Sequence, residues 1–220
     1  MADRREARKE QIFGVGAKLF AEKGYERTSL QEVADLLGVT KPALYYYYSS
    51  KEQLLFEIMS FVMDRVLQDA TEICQSDLPA GEQLHELIRR YVGFFAAHPA
   101  ELTLMSTAGD SLVPEHRAVI VERERQYLGF VRGIVAELLQ EHPGEDINET
   151  SAAFALLGGM SWIFKWYDPE GRISPDRLAD DFLKIFSYGL LGECKEGSAG
   201  LHRYRRPMDS TISAKRGSAP

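Results

Sequence analysis

The chain has 220 residues, 45% of them apolar and 27% charged, the make-up of an ordinary globular protein with one large domain or two small ones. Its net charge of −7 argues against a nonspecific nucleic-acid coat, but that charge is unevenly spread. Residues 1–52 carry nine Lys/Arg against eight Asp/Glu, residues 53–192 carry eleven against twenty-two, and the remaining tail is +3. A near-neutral head with a basic N-terminal edge, joined to an acidic body, suits DNA contact at one end only.

The first helix is expected over residues 4–23. Ile12, Phe13, Ala17 and Phe20 form its apolar stripe, behind a basic cluster of Arg4, Arg5, Arg8 and Lys9. Gly14 and Gly16 each cost about 1 kcal/mol in a helix relative to Ala, a cost that suits close approach of another helix. Gly24 ends the helix and Tyr25 packs back on it.

Residues 28–52 read TSLQEVADLLGVTKPALYYYYSSKE. Thr28 is the candidate N-cap, with Glu32 one residue beyond capping-box spacing. Leu30, Val33, Ala34 and Leu37 make one buried face. Gly38 permits the left-handed residue that closes a helix, Thr40 caps the next, and Pro42 falls in its first turn. These caps and breakers spell a helix-turn-helix. Four successive tyrosines, Tyr45 to Tyr48, cannot all face inward. Tyr45 and Tyr48, three apart, lean to one side and leave Tyr46 and Tyr47 exposed beside Lys41 and Ala43.

Ser50 caps a long helix to about residue 75, with Leu54, Leu55, Ile58, Phe61, Val62 and Val66 apolar. It joins head to body without a flexible linker. After a break at Asp77–Gly81, helices are expected at 80–97, 99–107, 114–141, 148–167 and 175–191, with a loop at 109–114 and a further break at Pro143-Gly144. No β-alternation is visible, so the fold class is all-α. The small residues Ala152, Ala153, Ala155, Gly158, Gly159 and Gly189 suit close helix pairing between two copies of the chain. From Glu193 the composition is that of a disordered tail, with His202-Arg203-Tyr204-Arg205-Arg206 a basic stretch within it.

Cys74 and Cys194 lack metal or redox spacing and read as free thiols of a reducing cytoplasm. The charged N-terminus is no secretory signal, and the uncharged run Thr150 to Phe164 is too short to span a bilayer. Five histidines (His85, His98, His116, His142 and His202) show neither i,i+4 pairing nor a phosphate loop, so neither enzyme chemistry nor a metal is expected. A structural adaptor bundle would explain the body but not the helix-turn-helix.

The run GVTKPALYYYYSSKEQL, extended upstream through AKLFAEKGYERTSLQEVA, resembles the signature of TetR-family transcriptional repressors over about residues 10–56. Tyr47 and Tyr48 stand where the family usually has His and Phe. The resemblance implies an N-terminal DNA-binding domain at 1–52, a helical effector-binding and dimerisation domain at 53–192, and a homodimer on a palindromic operator. Its DNA contacts carry over to Thr40, Lys41, Pro42, Ala43, Tyr45, Tyr46, Tyr47 and Lys51. Lys41 and Tyr46 then read base edges, and Thr40, Tyr45, Tyr47 and Lys51 meet phosphate. Ser29 and Gln31 support from the preceding helix.

The body carries an aromatic supply suited to an apolar effector pocket, with Phe95, Tyr127, Phe130, Trp162 and Trp166 as candidate lining residues. Residues 162–174, WIFKWYDPEGRIS, resemble a W-x-x-x-W-Y-x-P-x-G segment of TetR-like regulators of fatty-acid and sterol catabolism, which respond to acyl-CoA thioesters. That resemblance implies an acyl chain in the pocket and a CoA phosphate near Arg123, Arg125, Arg132 or Lys165. A hydrophobic drug exported by an efflux pump is the alternative effector.

Overall fold

A computed structural model of the protein describes residues 2–141 and 147–191. The side chains of Arg4 and Arg5, His142, the expected break at Pro143-Gly144, Cys194 and the basic stretch 202–206 lie outside the described residues. Within them the chain is helical, without strands: α1 Ala2–Lys23, α2 Leu30–Leu36, α3 Lys41–Tyr45, α4 Lys51–Cys74, α5 Ala80–Ala97, α6 Pro99–Thr107, α7 Pro114–Glu141, α8 Glu149–Ser161 and α9 Pro175–Leu191.

The head forms around local signals. Gly24 takes φ 86° after α1, and Gly38 takes φ 63° between α2 and α3, both in the region a side chain disfavours. The cap of α2 is Ser29, not Thr28. The Ser29 hydroxyl accepts from the Glu32 amide at 3.3 Å, and the Glu32 carboxylate accepts from the Ser29 amide at 2.8 Å, a complete capping box. Thr28 is buried and donates to the Tyr25 carbonyl at 2.8 Å. The carboxyl of Glu32 lies below its usual range, chiefly through the Lys23 hydrogen bond and then the Ser29 amide. Ser29→Ala should cost about 1 kcal/mol of stability, read as a lower midpoint in thermal denaturation.

α4 fastens the head to the body. Ser50 accepts from the Gln53 amide at 2.9 Å, and the helix runs on for 24 residues from there. Leu54 and Leu55 are fully buried at its start, and a Cβ on Gly16 of α1 would stand 2.8 Å from Leu54 Cδ2. Gly16 is therefore the close approach its helix cost suggested; Gly14 meets nothing. α4, α5 and α7 pack on one another, α9 lies against α5, and α6 spans from α4 back to α1. Thus two helices, α4 and α6, belong to both parts of the molecule.

Elsewhere the expected elements stand with two changes. Residues 109–111 wind into a 3-10 turn, and the helix expected over 148–167 ends at Ser161, with a 3-10 turn from Trp162 to Lys165. Ala152 and Ala153 are buried inside the protomer, whereas Ala155, Gly158, Gly159 and Gly189 are exposed. Gly159 serves an internal contact as well: a Cβ there would sit 3.3 Å from Phe182 of α9.

Candidate DNA-reading face and effector cavity

The short helix α3 presents one outward face. Thr40 caps it by accepting from the Ala43 amide at 3.4 Å, and Pro42 in its first turn forgoes an amide that has no helical partner there. Lys41, Pro42 and Ala43 are all exposed. The Lys41 ammonium lies 5.6 Å from the Tyr45 ring centroid and forms no ion pair among the described residues. Tyr46 is 69% exposed and stands edge-on to Tyr47 at 5.3 Å.

The tyrosine run departs from expectation. Tyr45 is exposed and Tyr48 is only 2% exposed, so the two do not share a side. The physical reason is that α3 ends at Tyr45 with Tyr46 as C-cap, so helical spacing no longer relates residues 45 and 48. Tyr47 is half-buried, and Tyr48 anchors α3 to the core with Leu44.

Besides Thr40, three candidate contacts are already engaged within the chain. The Ser29 hydroxyl serves the α2 cap, and the Gln31 amide donates to Asp35 at 2.7 Å. Lys51 donates to the Tyr25 carbonyl at 2.9 Å and lies 4.0 Å from the Tyr25 ring centroid, where burial and Glu52 push the phenol up to about 12. An ammonium has three N–H donors, so this contact leaves Lys51 two for a phosphate.

Below the head, α4, α5, α6, α7 and α8 line a partly open cavity of about 630 Å³, within the range of about 300–1,000 Å³ of small-molecule sites. Val62, Met63 and Val66 of α4 form one wall. Phe95, Leu102 and Met105 form a second, and Leu128, Phe154, Leu157 and Phe164 complete the apolar surface. Of the candidate lining residues, Phe95, Tyr127 and Trp162 border this space. Phe130 packs on the core away from it, and Trp166, beyond the 3-10 turn, stands edge-on to Tyr167 at 6.0 Å.

Of the four candidate cations only Arg125 lines the cavity. Arg123 is held by Asp64 at 3.2 Å and by the Ser60 carbonyl at 3.3 Å, and Arg132 pairs with Glu149 at 3.2 Å. Lys165 is exposed, 4.8 Å from the ring centroid of the lining residue Phe164. Glu124 also lines the cavity, its carboxyl raised by burial against the opposing effect of Arg117.

One junction had no signal in the sequence. Glu52, one residue into α4, accepts from the Val113 amide at 3.1 Å and meets His116 Nδ1 at 2.9 Å. Phe56 stacks on the His116 ring at 3.8 Å, and Ser111 donates to Glu26 at 3.0 Å. These contacts tie the start of α7, a cavity helix, to the base of the head. Residues 61 and 64 positions apart can be matched only once the fold is known.

Among the described residues no helix is long and apolar enough to cross a membrane, and no cluster of His, Cys, Asp and Glu has the arrangement to hold a metal. The Cys74 thiol is free, raised chiefly by burial.

Comparison with known proteins accords with this geometry. Residues 12–58 match the family described as bacterial regulatory proteins, tetR family, and residues 77–190 match the tetracyclin repressor-like C-terminal domain. The HTH-type transcriptional repressor KstR2 of Rhodococcus jostii is 25% identical over 185 residues, covering 83% of this chain and 91% of that protein. A TetR/AcrR-family regulator from Thermobifida fusca, solved by crystallography, is 35% identical with a TM-score of 0.64, covering 83% of this chain and 98% of that one. AibR, solved with isovaleryl coenzyme A and operator DNA, is 30% identical with a TM-score of 0.72, over 81% of this chain and 97% of that one. KstR2 of Mycobacterium tuberculosis, a ketosteroid transcriptional regulator at 20% identity, shares the fold with a TM-score of 0.78, over 83% and 94% of the two chains. The protein belongs to the TetR family of helix-turn-helix transcriptional regulators.

Proposed function

We propose that the protein is a homodimeric repressor that binds a palindromic operator and leaves it when an acyl-CoA thioester enters the body. In this reading residues 1–52 read DNA and residues 53–192 bind effector and pair with a second copy. Thr40, Lys41, Pro42, Ala43, Tyr45, Tyr46, Tyr47 and Lys51 face the DNA, with Ser29 and Gln31 behind them. The observation that carries it is the apolar cavity bounded by α4 and α6, the two helices that also pack against α1. A ligand that prefers one spacing of these helices changes the spacing of the two heads. By linkage it weakens DNA binding by the same factor by which DNA weakens ligand binding.

The acyl chain suits the apolar walls, and Arg125, paired with exposed Glu122 at 3.6 Å, offers charge for a CoA phosphate, with Lys165 exposed over the lining residue Phe164. AibR, a family relative, was solved with both a short acyl-CoA and operator DNA. A cationic hydrophobic drug is the second reading, favoured by the Glu124 carboxyl in the cavity wall. Thermal shift and operator release with acyl-CoAs of graded chain length, free fatty acids and cationic dyes separate the two. Stabilisation and release by an acyl-CoA but not by dyes supports the catabolic reading; the reverse replaces it with the efflux reading.

The Glu52 junction gives a test of the route. Glu52→Ala removes the acceptor of the Val113 amide and the partner of His116. Effector affinity should stay unchanged, while the release factor falls from about 5–150-fold towards one. Isothermal titration with and without operator DNA measures both, and an unaltered release factor would place the coupling elsewhere.

A further inference from the structure

Four hydroxyl-bearing side chains line the cavity: Ser106 of α6, which is exposed, and a group deeper in the wall, Tyr91 of α5, Tyr127 of α7 and Ser161 at the end of α8. Tyr91 is 8% exposed and Tyr127 7% exposed. The two rings are stacked with centroids 6.3 Å apart, so their phenols belong to one patch. The Tyr91 and Ser161 oxygens lie 3.4 Å apart, long for a hydroxyl–hydroxyl hydrogen bond. The Tyr127 hydroxyl makes no hydrogen bond within the described residues, yet it is not sealed off, so a water or a ligand can reach it.

A wall built only to hold an alkyl chain would carry Phe at these positions. Tyrosine hydroxyls on largely buried rings ordinarily find a hydrogen-bond partner, from the protein, a water or a ligand. A ligand oxygen can be that partner, and it makes the pocket discriminate. Sites that hydrogen-bond a substrate group reject the analogue lacking it far better than an apolar wall rejects an extra methylene. Burial raises the Tyr91 phenol to about 12, partly opposed by Ser161, and raises Tyr127 well above its ordinary value. Both phenols therefore stay protonated at neutral pH and can donate.

We propose that the effector carries a carbonyl or hydroxyl oxygen within its apolar body, away from the thioester, and that Tyr127 with the Tyr91–Ser161 pair recognises it. The inference rests on the reading of this cavity as the acyl-CoA site. It narrows that class from plain fatty acyl chains to partly oxidised ones. Tyr127 and Tyr91 are then specificity-determining residues. On its far side Tyr127 also borders a void of about 10 Å³ beside Asp69 and Arg90, at the lower limit for one water.

The test compares octanoyl-CoA with a set of its mono-oxo positional isomers by isothermal titration against the full chain and its Tyr127→Phe variant. At least one isomer should bind the wild type about ten-fold tighter than octanoyl-CoA, a hydrogen bond's worth of discrimination. Tyr127→Phe should reduce that preference to less than about three-fold and melt no lower than the wild type. Binding of octanoyl-CoA with no preference for any isomer overturns this inference alone, leaving the Tyr127 hydroxyl to a water. A preference that survives Tyr127→Phe overturns the role of Tyr127. Binding of no thioester at all overturns the acyl-CoA reading and this proposal with it.

Discussion

Alanine in place of Lys41 or Tyr46 is expected to weaken specific operator binding by roughly 5- to 150-fold, a good base contact being worth about 1–3 kcal/mol. Both residues project from α3, Lys41 in its first turn and Tyr46 at its C-cap, and Tyr46 is 69% exposed. Tyr46 and Lys41 are both exposed, and surface substitutions usually change stability little, so melting should change by less than about 0.5 kcal/mol. Lys51→Ala should instead weaken binding to every sequence alike and lower the salt slope by about one unit. It also loses the bond to the Tyr25 carbonyl, so a small loss of stability accompanies it. Fluorescence anisotropy on the DNA flanking the protein's own reading frame, and on a scrambled duplex, measures both effects at two salt concentrations. A Tyr46→Ala protein that melts like a core variant would show that Tyr46 supports the fold instead.

The double substitution Ile185→Asp with Tyr188→Asp is expected to leave a folded monomer whose operator affinity is lower by on the order of 10²–10⁴-fold. In the protomer these α9 side chains are 73% and 77% exposed, apolar surface that costs free energy in water. Phe154 and Trp162 are exposed beside the small residues Ala155 and Gly158 of α8. Large and small side chains alternating on one surface can interlock with a two-fold copy of themselves. A five-residue helix reads one half-site only. In the proposed dimer, specific binding draws on a second head held about 34–36 Å away, in the next major groove on the same side of the duplex. Sedimentation at micromolar concentration, with and without operator DNA, measures the association state. A monomeric variant with undiminished operator binding would contradict the dimer.

The parts of this molecule legible in its sequence are those written by local chemistry. Gly38, Thr40 and Pro42 each perform at their own position the turn or cap their residue type implies. The start of α2 was misplaced by one residue because Thr28 and Ser29 both offer a hydroxyl. The spacing Ser29-x-x-Glu32 was the available signal for the right one. Tyr45 and Tyr48 were misjudged because helical spacing was carried past the point where α3 stops. The cavity was legible only in part. Phe95, Tyr127 and Trp162 line it, but Phe130 and Trp166 point elsewhere, since composition supplies aromatics without saying which helix faces meet. Tyr91, Ser161 and the Glu52–His116 junction depend on contacts between elements distant in sequence, which no local pattern encodes.

The most direct test of effector-released repression is a closed thermodynamic cycle: operator affinity with and without a stabilising acyl-CoA, and acyl-CoA affinity with and without operator. Effector and DNA should each weaken the other by one and the same factor, about 5–150-fold, for a coupling of about 1–3 kcal/mol. An acyl-CoA that binds in the body yet leaves operator affinity unchanged would contradict the account.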